Sequence, residues 1–152
     1  MEEYLKNSLF EGIISKREVQ ILSDNQLIDK SNTVLISIVD PDVEYLDSEV
    51  TKNFKGYIGL KFWDIEEQIG NYSPISTLQA EEIRDFIVKN QDKKFLIHCM
   101  AGQSRSAGVA CAVECIVNFD GDVYNYQTGS SDVKAHPRYY PNLTVFDKIC
   151  KG

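Results

Sequence analysis

One cysteine and one arginine stand six positions apart in a segment of small and polar residues. The segment runs from His98 to Ser106 with the sequence HCMAGQSRS, and Gly102 lies between the cysteine and the arginine. Glycine permits a left-handed turn, and consecutive backbone N–H groups of such a loop can point at one anion. The thiol would be a nucleophile, and the guanidinium a planar anion ligand. The spacing therefore predicts an oxyanion-binding loop with a reactive cysteine.

The sequence on either side of this segment predicts a strand before it and a helix after it. The strand candidate is KFLIH, residues 94–98, and the helix candidate runs from about Arg105 to about Phe119. A helix N-terminus carries partial positive charge, so it attracts an anion and stabilises a thiolate. We therefore expect Cys99 to be ionised at neutral pH and nucleophilic.

Length, composition and charge limit the classes of function. A chain of 152 residues with 43% hydrophobic residues predicts one domain, residues 1–152, with a sizeable core. The net charge of −7 argues against general nucleic-acid or membrane-surface binding. The apolar runs are too short to span a bilayer, and no apolar stretch follows the acidic start MEE. We expect a cytoplasmic monomer.

Four cysteines are present: Cys99, Cys111, Cys115 and Cys150. None of their spacings matches a zinc site, so no metal is expected. Cys111 and Cys115 share one face of the predicted helix, which predicts two small core residues. A disulfide between one of them and Cys99 is the alternative, because the sequence does not give the distance between the sulfurs.

Apolar β-branched runs alternate with helical patterns along the chain, which predicts an α/β fold. The expected architecture is a central, mostly parallel sheet flanked by helices. The strand candidates are 9–14, 33–39, 56–63 and 94–98. The helix candidates are 15–22, 43–52, 76–90, 105–119 and 143–150, and 120–131 is predicted to be a loop or an extension. The first and third helices are predicted to start with capping boxes, Ser15 with Glu18 and Ser76 with Gln79.

The string HCMAGQSRS resembles the phosphate-binding signature His-Cys-x-x-Gly-x-x-Arg-Ser of cysteine-based protein phosphatases. The order and length of the surrounding elements are similar to the compact dual-specificity branch of that superfamily. The resemblance extends from about residue 13 to about residue 149. It implies a protein-tyrosine-phosphatase-like fold, a phosphorylated protein as substrate, and a reaction that needs neither metal nor other cofactor.

The resemblance also implies a role for each residue of the loop. Cys99 attacks phosphorus and forms a phosphocysteine intermediate, while Arg105 binds two oxygens in bidentate fashion. Ser106 hydrogen-bonds the Cys99 sulfur and helps it leave, and His98 orients the loop and tunes the thiolate. The residues that would surround the phosphate are Met100, Ala101, Gly102, Gln103, Ser104 and Arg105.

The family places a general acid, an aspartate, some thirty-odd residues before the cysteine. Asp64 lies 35 residues before Cys99, at the end of a predicted strand, and is the predicted acid. Glu66 and Glu67 are the alternatives. Asp40 also follows a predicted strand, but it is assigned to the earlier turn.

Two segments near the end of the sequence have ordinary structural interpretations. Asn142 is predicted to be a helix N-cap, with support of the phosphate loop as the alternative. Tyr139 and Tyr140 are predicted to pack, with a substrate groove as the alternative.

Three other functions compete with hydrolysis of a protein phosphoester. A non-catalytic phosphoprotein-binding module on the same scaffold is one, and a phosphatase of a nucleic acid 5′-end or small phosphate is another. The loop side chains between the cysteine and the arginine are uncharged, which argues against a polyanionic lipid head group. An arsenate-reducing enzyme is disfavoured because such enzymes carry the loop near the N-terminus, whereas here it follows the proposed acid. A rhodanese-like enzyme is disfavoured because its loop lacks this pattern of Gly and Ser. We expect hydrolysis of phosphotyrosine, with phosphoserine and phosphothreonine left open.

Overall fold

The structure is a computed structural model that describes residues 3–151. Within that range the strands are β1 (Phe10–Ser15), β2 (Thr33–Val39), β3 (Gly56–Lys61) and β4 (Lys94–Cys99). The helices are α1 (Lys16–Asp24), α2 (Ser48–Thr51), α3 (Thr77–Lys89), α4 (Arg105–Phe119), α5 (Val123–Thr128), α6 (Asp132–Ala135) and α7 (Leu143–Lys151).

The strands form one sheet in the order β1-β4-β2-β3, and each neighbouring pair is parallel. This confirms the predicted α/β fold with a mostly parallel sheet. In the register of the sheet, Ser15 lies opposite Cys99 and Ser37 lies opposite His98. Parallel strands bring their carboxyl ends to one edge, where ligands of open α/β sheets bind. The predicted oxyanion loop leaves the sheet at that edge.

Two hydrophobic clusters cover the two faces of the sheet. The larger cluster joins Val34, Ile36 and Ile38 of β2 to side chains of α3, α4 and α7. The smaller cluster joins Leu35 of the same strand to side chains of α1 and α2. Because β2 is covered on both faces, its sequence is a continuous apolar run, TVLISIV, with every residue buried.

Helix α4 follows the predicted oxyanion loop and runs through the larger cluster. Its residues 105–116 are buried, and small residues such as Ala107 and Ala110 allow this close packing. A Cβ atom on Gly108 would lie 2.6 Å from the backbone oxygen of Asn142, so glycine admits the chain before α7. In residues 3–151, none of the helices has the length and apolar character needed to cross a bilayer.

The helix predicted over residues 43–52 is wrong in its first half, because α2 begins only at Ser48. The N–H of Val43 instead closes a turn on the backbone oxygen of Asp40 at 2.9 Å. Leu46 is then buried in the smaller cluster. Because of this turn and the buried Leu46 side chain, the chain is not helical before Ser48.

The loop predicted over residues 120–131 is also wrong, since α5 lies within it. Asp122 caps this helix by accepting the N–H of Asn125 at 3.0 Å. The ring of Tyr126 is fully buried and packs against aromatic rings of α4 and α7. One buried aromatic side chain thus orders a segment whose composition is typical of loops.

Candidate active site

Cys99 is the last residue of β4, and its side chain lies at the base of the loop that follows. The residue is only 2% exposed. The N–H of Gly102 donates to Cys99 Sγ at 3.3 Å, and Ser106 Oγ lies 3.1 Å from the same sulfur. The backbone N–H of Gly102 and the hydroxyl of Ser106 therefore both lie within hydrogen-bond distance of the sulfur.

Gly102 sets the curvature of the loop. Its φ angle is +71°, in the left-handed region that favours glycine. A Cβ atom at this position would lie 2.3 Å from the carbonyl carbon of Ile14 and 2.4 Å from the nitrogen of Ser15. The loop therefore rests directly on the backbone where β1 passes into α1.

Arg105 is the first residue of α4 and is 4% exposed. Its Nη1 donates to the backbone oxygen of Phe62 at 2.6 Å and pairs with Asp40 Oδ1 at 2.7 Å. Its Nε is buried and has no hydrogen-bond partner among the described residues. Because a buried guanidinium donor without a partner is costly, this Nε is suited to a ligand oxyanion.

The sequence predicts that Asp40 lies in a turn, and it does not predict the contact with Arg105. The sheet order explains the contact, because β2 lies beside β4 and ends at the same edge. A short strand followed by Asp-Pro-Asp gives no sign of this neighbour. The carboxylate holds one end of the guanidinium and leaves the Nε side for an anion.

Asp64 follows β3, which ends at Lys61 rather than at the predicted residue 63. Its Oδ1 accepts from Ser104 Oγ at 2.8 Å and from Asn142 Nδ2 at 3.0 Å. Both donors meet the same oxygen, so the acid form carries its proton on Oδ2. The structure thus brings the predicted acid to the rim of the loop.

The alternative acids are placed differently. Glu66 and Glu67 are exposed, as Asp64 is, but within residues 3–151 no hydrogen bond joins either glutamate carboxylate to the loop. The backbone oxygen of Glu66 accepts from Thr144 Oγ1 at 2.9 Å, which ties the segment to α7. The geometry therefore favours Asp64 as the acid.

Asn142 combines both interpretations that the sequence left open. Its Oδ1 accepts the N–H of Val145 at 3.1 Å, which confirms the N-cap of α7. Its Nδ2 donates to Asp64 and, at 3.2 Å, to the backbone oxygen of Ile65. The same amide therefore starts a helix and holds the predicted acid. Of the two tyrosines predicted to pack, Tyr139 is 5% exposed, which confirms the prediction, whereas Tyr140 is 73% exposed, so the prediction is wrong there.

His98 is fully buried beneath the loop. Its Nε2 lies 2.6 Å from Ser37 Oγ, and its Nδ1 lies 3.3 Å from the backbone oxygen of Cys99. A carbonyl oxygen only accepts, so Nδ1 carries the proton and Nε2 accepts from the serine hydroxyl. Burial lowers the pKa of His98 from 6.5 to about 4. The ring is therefore neutral at physiological pH and orients the backbone at the cysteine.

We expect His98 to lower the free energy of unfolding as the pH drops below about 6.5. Its pKa in the folded state lies below 6.5, so the unfolded chain takes up a proton first as the pH drops. The lost stability amounts to about 3 kcal/mol and develops from pH 6.5 towards pH 4. Urea unfolding at about pH 7 and about pH 4.5 should show a weaker pH dependence for His98→Gln than for the wild type. His136→Gln, at the partly exposed second histidine, should keep the wild-type dependence, and equal dependence in all three would contradict the expectation.

The remaining cysteines lie away from the loop. Cys111 and Cys115 are buried on α4, which confirms the predicted core role, and all four cysteines are free thiols. Burial raises the pKa of Cys111 to about 11. Across residues 3–151, no group of three His, Cys, Asp or Glu side chains is arranged to hold a metal ion.

Solved structures with a similar fold are the known proteins that this chain matches. No family model matches the chain, and no curated protein matches it in sequence. The human tyrosine phosphatase-like serine/threonine/tyrosine-interacting protein is 19% identical, with a TM-score of 0.53 and coverage of 91% of this chain and 83% of that one. The Yvh1 phosphatase domain from Chaetomium thermophilum is 16% identical, with a TM-score of 0.56 and coverage of 98% and 92%. PTPMT1 in complex with PI(5)P is 14% identical, with a TM-score of 0.55 and coverage of 92% and 86%. At these identities the agreement concerns the fold.

Proposed function

We propose that this chain, which has the compact protein-tyrosine-phosphatase-like α/β fold, is a cysteine-dependent phosphomonoesterase. One observation carries the proposal: Cys99 Sγ accepts the N–H of Gly102, and Arg105, at the other end of the same loop, has a buried Nε with no partner among the described residues. A thiolate and an unsatisfied guanidinium donor are the two groups that a phosphoryl-transfer site of this type needs.

The proposed reaction has two displacements at phosphorus. First the Cys99 thiolate forms a P–S bond, and the ester P–O bond breaks with its electron pair on the leaving oxygen. Asp64 gives that oxygen its Oδ2 proton. Then the Asp64 carboxylate takes a proton from water while the water oxygen attacks phosphorus. The P–S bond breaks, and Ser106 Oγ–H stabilises the thiolate that is released.

Arg105 supports this chemistry through its fixed position. Asp40 and the backbone oxygen of Phe62 hold Nη1, so the guanidinium does not have to be ordered when substrate binds. A preorganised donor stabilises developing charge without reorganisation during the reaction. The loop N–H groups and the N-terminus of α4 add further donors. His98 would act on the backbone of the loop and not on the proton transfers.

The proposed substrates are phosphorylated proteins, with phosphotyrosine as the preferred group. The loop side chains Met100, Ala101, Gln103 and Ser104 are uncharged, so the loop offers no cation for a second phosphate. The net charge of −7 also disfavours a polyanionic nucleic acid. PTPMT1 was solved with PI(5)P, so a lipid phosphoester is the main non-protein alternative to test. In this proposal the protein works as a cytoplasmic monomer.

A phosphate-release panel tests the function directly. It compares phosphotyrosine, phosphoserine and phosphothreonine peptides, p-nitrophenyl phosphate, a phosphoinositide and a 5′-phosphorylated oligonucleotide. We expect turnover of the phosphotyrosine peptide and of the aryl phosphate. Binding of a phosphopeptide without turnover of any compound would instead favour a non-catalytic phosphoprotein-binding module.

Asp64→Asn is expected to lower turnover of a phosphotyrosine peptide by about 10²- to 10⁴-fold, the usual contribution of a general acid. The amide keeps the shape of the side chain, so inhibition by inorganic phosphate should stay near the wild-type level. Steady-state kinetics with phosphate as a competitor measure both quantities.

Glu67→Gln is the matched control for Asp64→Asn, since it removes an exposed carboxylate from the same segment. Its turnover should match the wild type. An undiminished rate in Asp64→Asn would move the acid to Glu66 or Glu67.

A further inference from the structure

One short segment holds three successive carbonyl groups of the loop from outside. Arg138 Nε donates to the Gly102 oxygen at 3.4 Å. The N–H of Tyr140 donates to the Gln103 oxygen at 2.8 Å, and the N–H of Asn142 donates to the Ser104 oxygen at 3.0 Å. We call residues 138–142 the loop clamp.

The outward direction of these carbonyl groups determines the direction of the neighbouring N–H groups. In such a peptide, the C=O of one residue and the N–H of the next point in opposite directions. The clamp holds the carbonyls of residues 102–104 outward, together with the N–H of Gly108, which donates to the Ser104 oxygen at 2.9 Å. The N–H groups of residues 103–105 are therefore turned the other way. Those are the groups that must face an oxyanion in the loop.

Arg138 differs from the other two contacts because a side chain makes it. The guanidinium is 4% exposed and is held by Glu18, with Nη1 donating to Oε2 at 3.1 Å and Nη2 bonding Oε1. Glu18 is fixed in turn, since its Oε1 accepts the N–H of Ser15 at 2.8 Å. Burial raises the pKa of Glu18, but Arg138 and the hydrogen bonds at Ser15 outweigh it and keep the value below normal. The carboxylate therefore stays charged and paired.

A buried ion pair of this kind contributes little to stability compared with an apolar pair of the same volume. Its location beside the loop indicates another use. Glu18 belongs to the segment where β1 passes into α1, residues 14–18, which we call the β1–α1 corner. Gly102 packs directly against the backbone of this corner. The pair therefore links that rigid corner to the carbonyl that Gly102 turns outward.

We propose that Arg138 is a positioning residue of the phosphate loop, and that its ion pair with Glu18 sets the affinity of the loop for an oxyanion. Arg138 acts through the Gly102 carbonyl on the N–H of Gln103 and touches no substrate. This inference rests on the proposed function, because it assumes that the loop binds the phosphoryl group.

The test measures binding of inorganic tungstate by calorimetry, together with the thermal unfolding midpoint. Tungstate is a tetrahedral oxyanion and needs no catalysis. Arg138→Met keeps the length of the side chain and removes the donor, and it should weaken tungstate binding about tenfold. Glu18→Gln keeps the acceptor for Ser15, and it should act in the same direction. Arg138→Lys keeps the charge and should recover part of the affinity.

The double variant Glu18→Gln/Arg138→Met should bind tungstate no more weakly than Arg138→Met, because both changes break one linkage. Glu114→Gln is the control for a purely structural effect. Glu114 is a buried carboxylate of α4 that accepts from Tyr126 at 2.7 Å and from Ser131 at 2.6 Å, away from the loop. It should lower the unfolding midpoint and leave tungstate affinity unchanged.

The outcomes separate the two proposals. Tungstate binding that is equal in wild type, Arg138→Met and Glu18→Gln overturns the positioning role alone. Weaker binding in Glu114→Gln to the same extent also overturns it, since stability would then explain the loss. Wild-type protein that binds neither tungstate nor phosphate overturns the proposed function and this inference with it. If Arg138→Met does not fold, Arg138→Lys and Glu18→Gln decide the question.

Discussion

Replacement of Cys99 by serine is expected to lower the turnover of p-nitrophenyl phosphate on the order of 10⁴- to 10⁶-fold, the scale seen when a catalytic nucleophile is removed. A serine hydroxyl at this position is not ionised at neutral pH, and the neutral His98 does not activate it, because its ring contacts Ser37 and the Cys99 backbone. Inorganic phosphate should still inhibit or bind, since the loop N–H groups and Arg105 remain. Turnover is measured as p-nitrophenol released from p-nitrophenyl phosphate, and phosphate binding is measured separately by calorimetry.

Cys150→Ser is the matched control for the nucleophile. Cys150 lies on α7, and burial raises the pKa of its thiol above the ordinary value, so it is protonated at neutral pH. Its removal should leave turnover unchanged. Comparable turnover in Cys99→Ser and the wild type would exclude the phosphocysteine mechanism.

Gly102→Ala is expected to destroy both activity and much of the stability. A methyl group would lie 2.3 Å from a backbone carbon and 2.4 Å from a backbone nitrogen of the β1–α1 corner. Neither atom can move without disrupting the pairing of β1 with β4. The left-handed φ of +71° adds about 1–2 kcal/mol for any residue with a Cβ. We expect a total loss of more than about 3 kcal/mol in the free energy of unfolding, measured with urea.

Gly121→Ala separates the steric effect from the backbone effect. Gly121 has a φ of +78°, but a Cβ there would meet no atom within 4 Å. Its cost should be only the left-handed term of about 1–2 kcal/mol, with normal turnover. An equal loss in the free energy of unfolding in both variants would mean that the steric contact with the β1–α1 corner does not contribute to the effect of Gly102→Ala.

Much of the architecture and the centre of the site follow from local sequence patterns. The continuous apolar runs of β2 and β4 predicted buried parallel strands, and the capping boxes at Ser15 and Ser76 predicted the starts of two helices. The loop was predictable because the proposed chemistry requires fixed spacing within the nine residues from His98 to Ser106. In each case the determining residues are neighbours in the chain.

The contacts that cross the fold were not predictable in the same way. Asp40 meets Arg105 only because β4 lies beside β2, and the order of strands in the sheet has no local signal. Glu18 looked like an ordinary capping residue, yet its carboxylate also binds Arg138, 120 positions away. Such pairs depend on which surfaces meet after folding, and a single sequence carries no periodicity for them.

The loop clamp has a consequence for the way the protein is made. The carbonyls of the oxyanion loop are held by residues 138–142, and β1 pairs with β4 across a long stretch of chain, Phe10 against Phe95. Until residues 138–142 have been translated, the nascent chain has the cysteine and the arginine but lacks the segment that holds the loop carbonyls. Parallel pairing of distant strands also delays folding until most of the chain has emerged. Incomplete chains therefore lack the contacts that hold the loop carbonyls, and we expect the proposed phosphate site to form only late in synthesis.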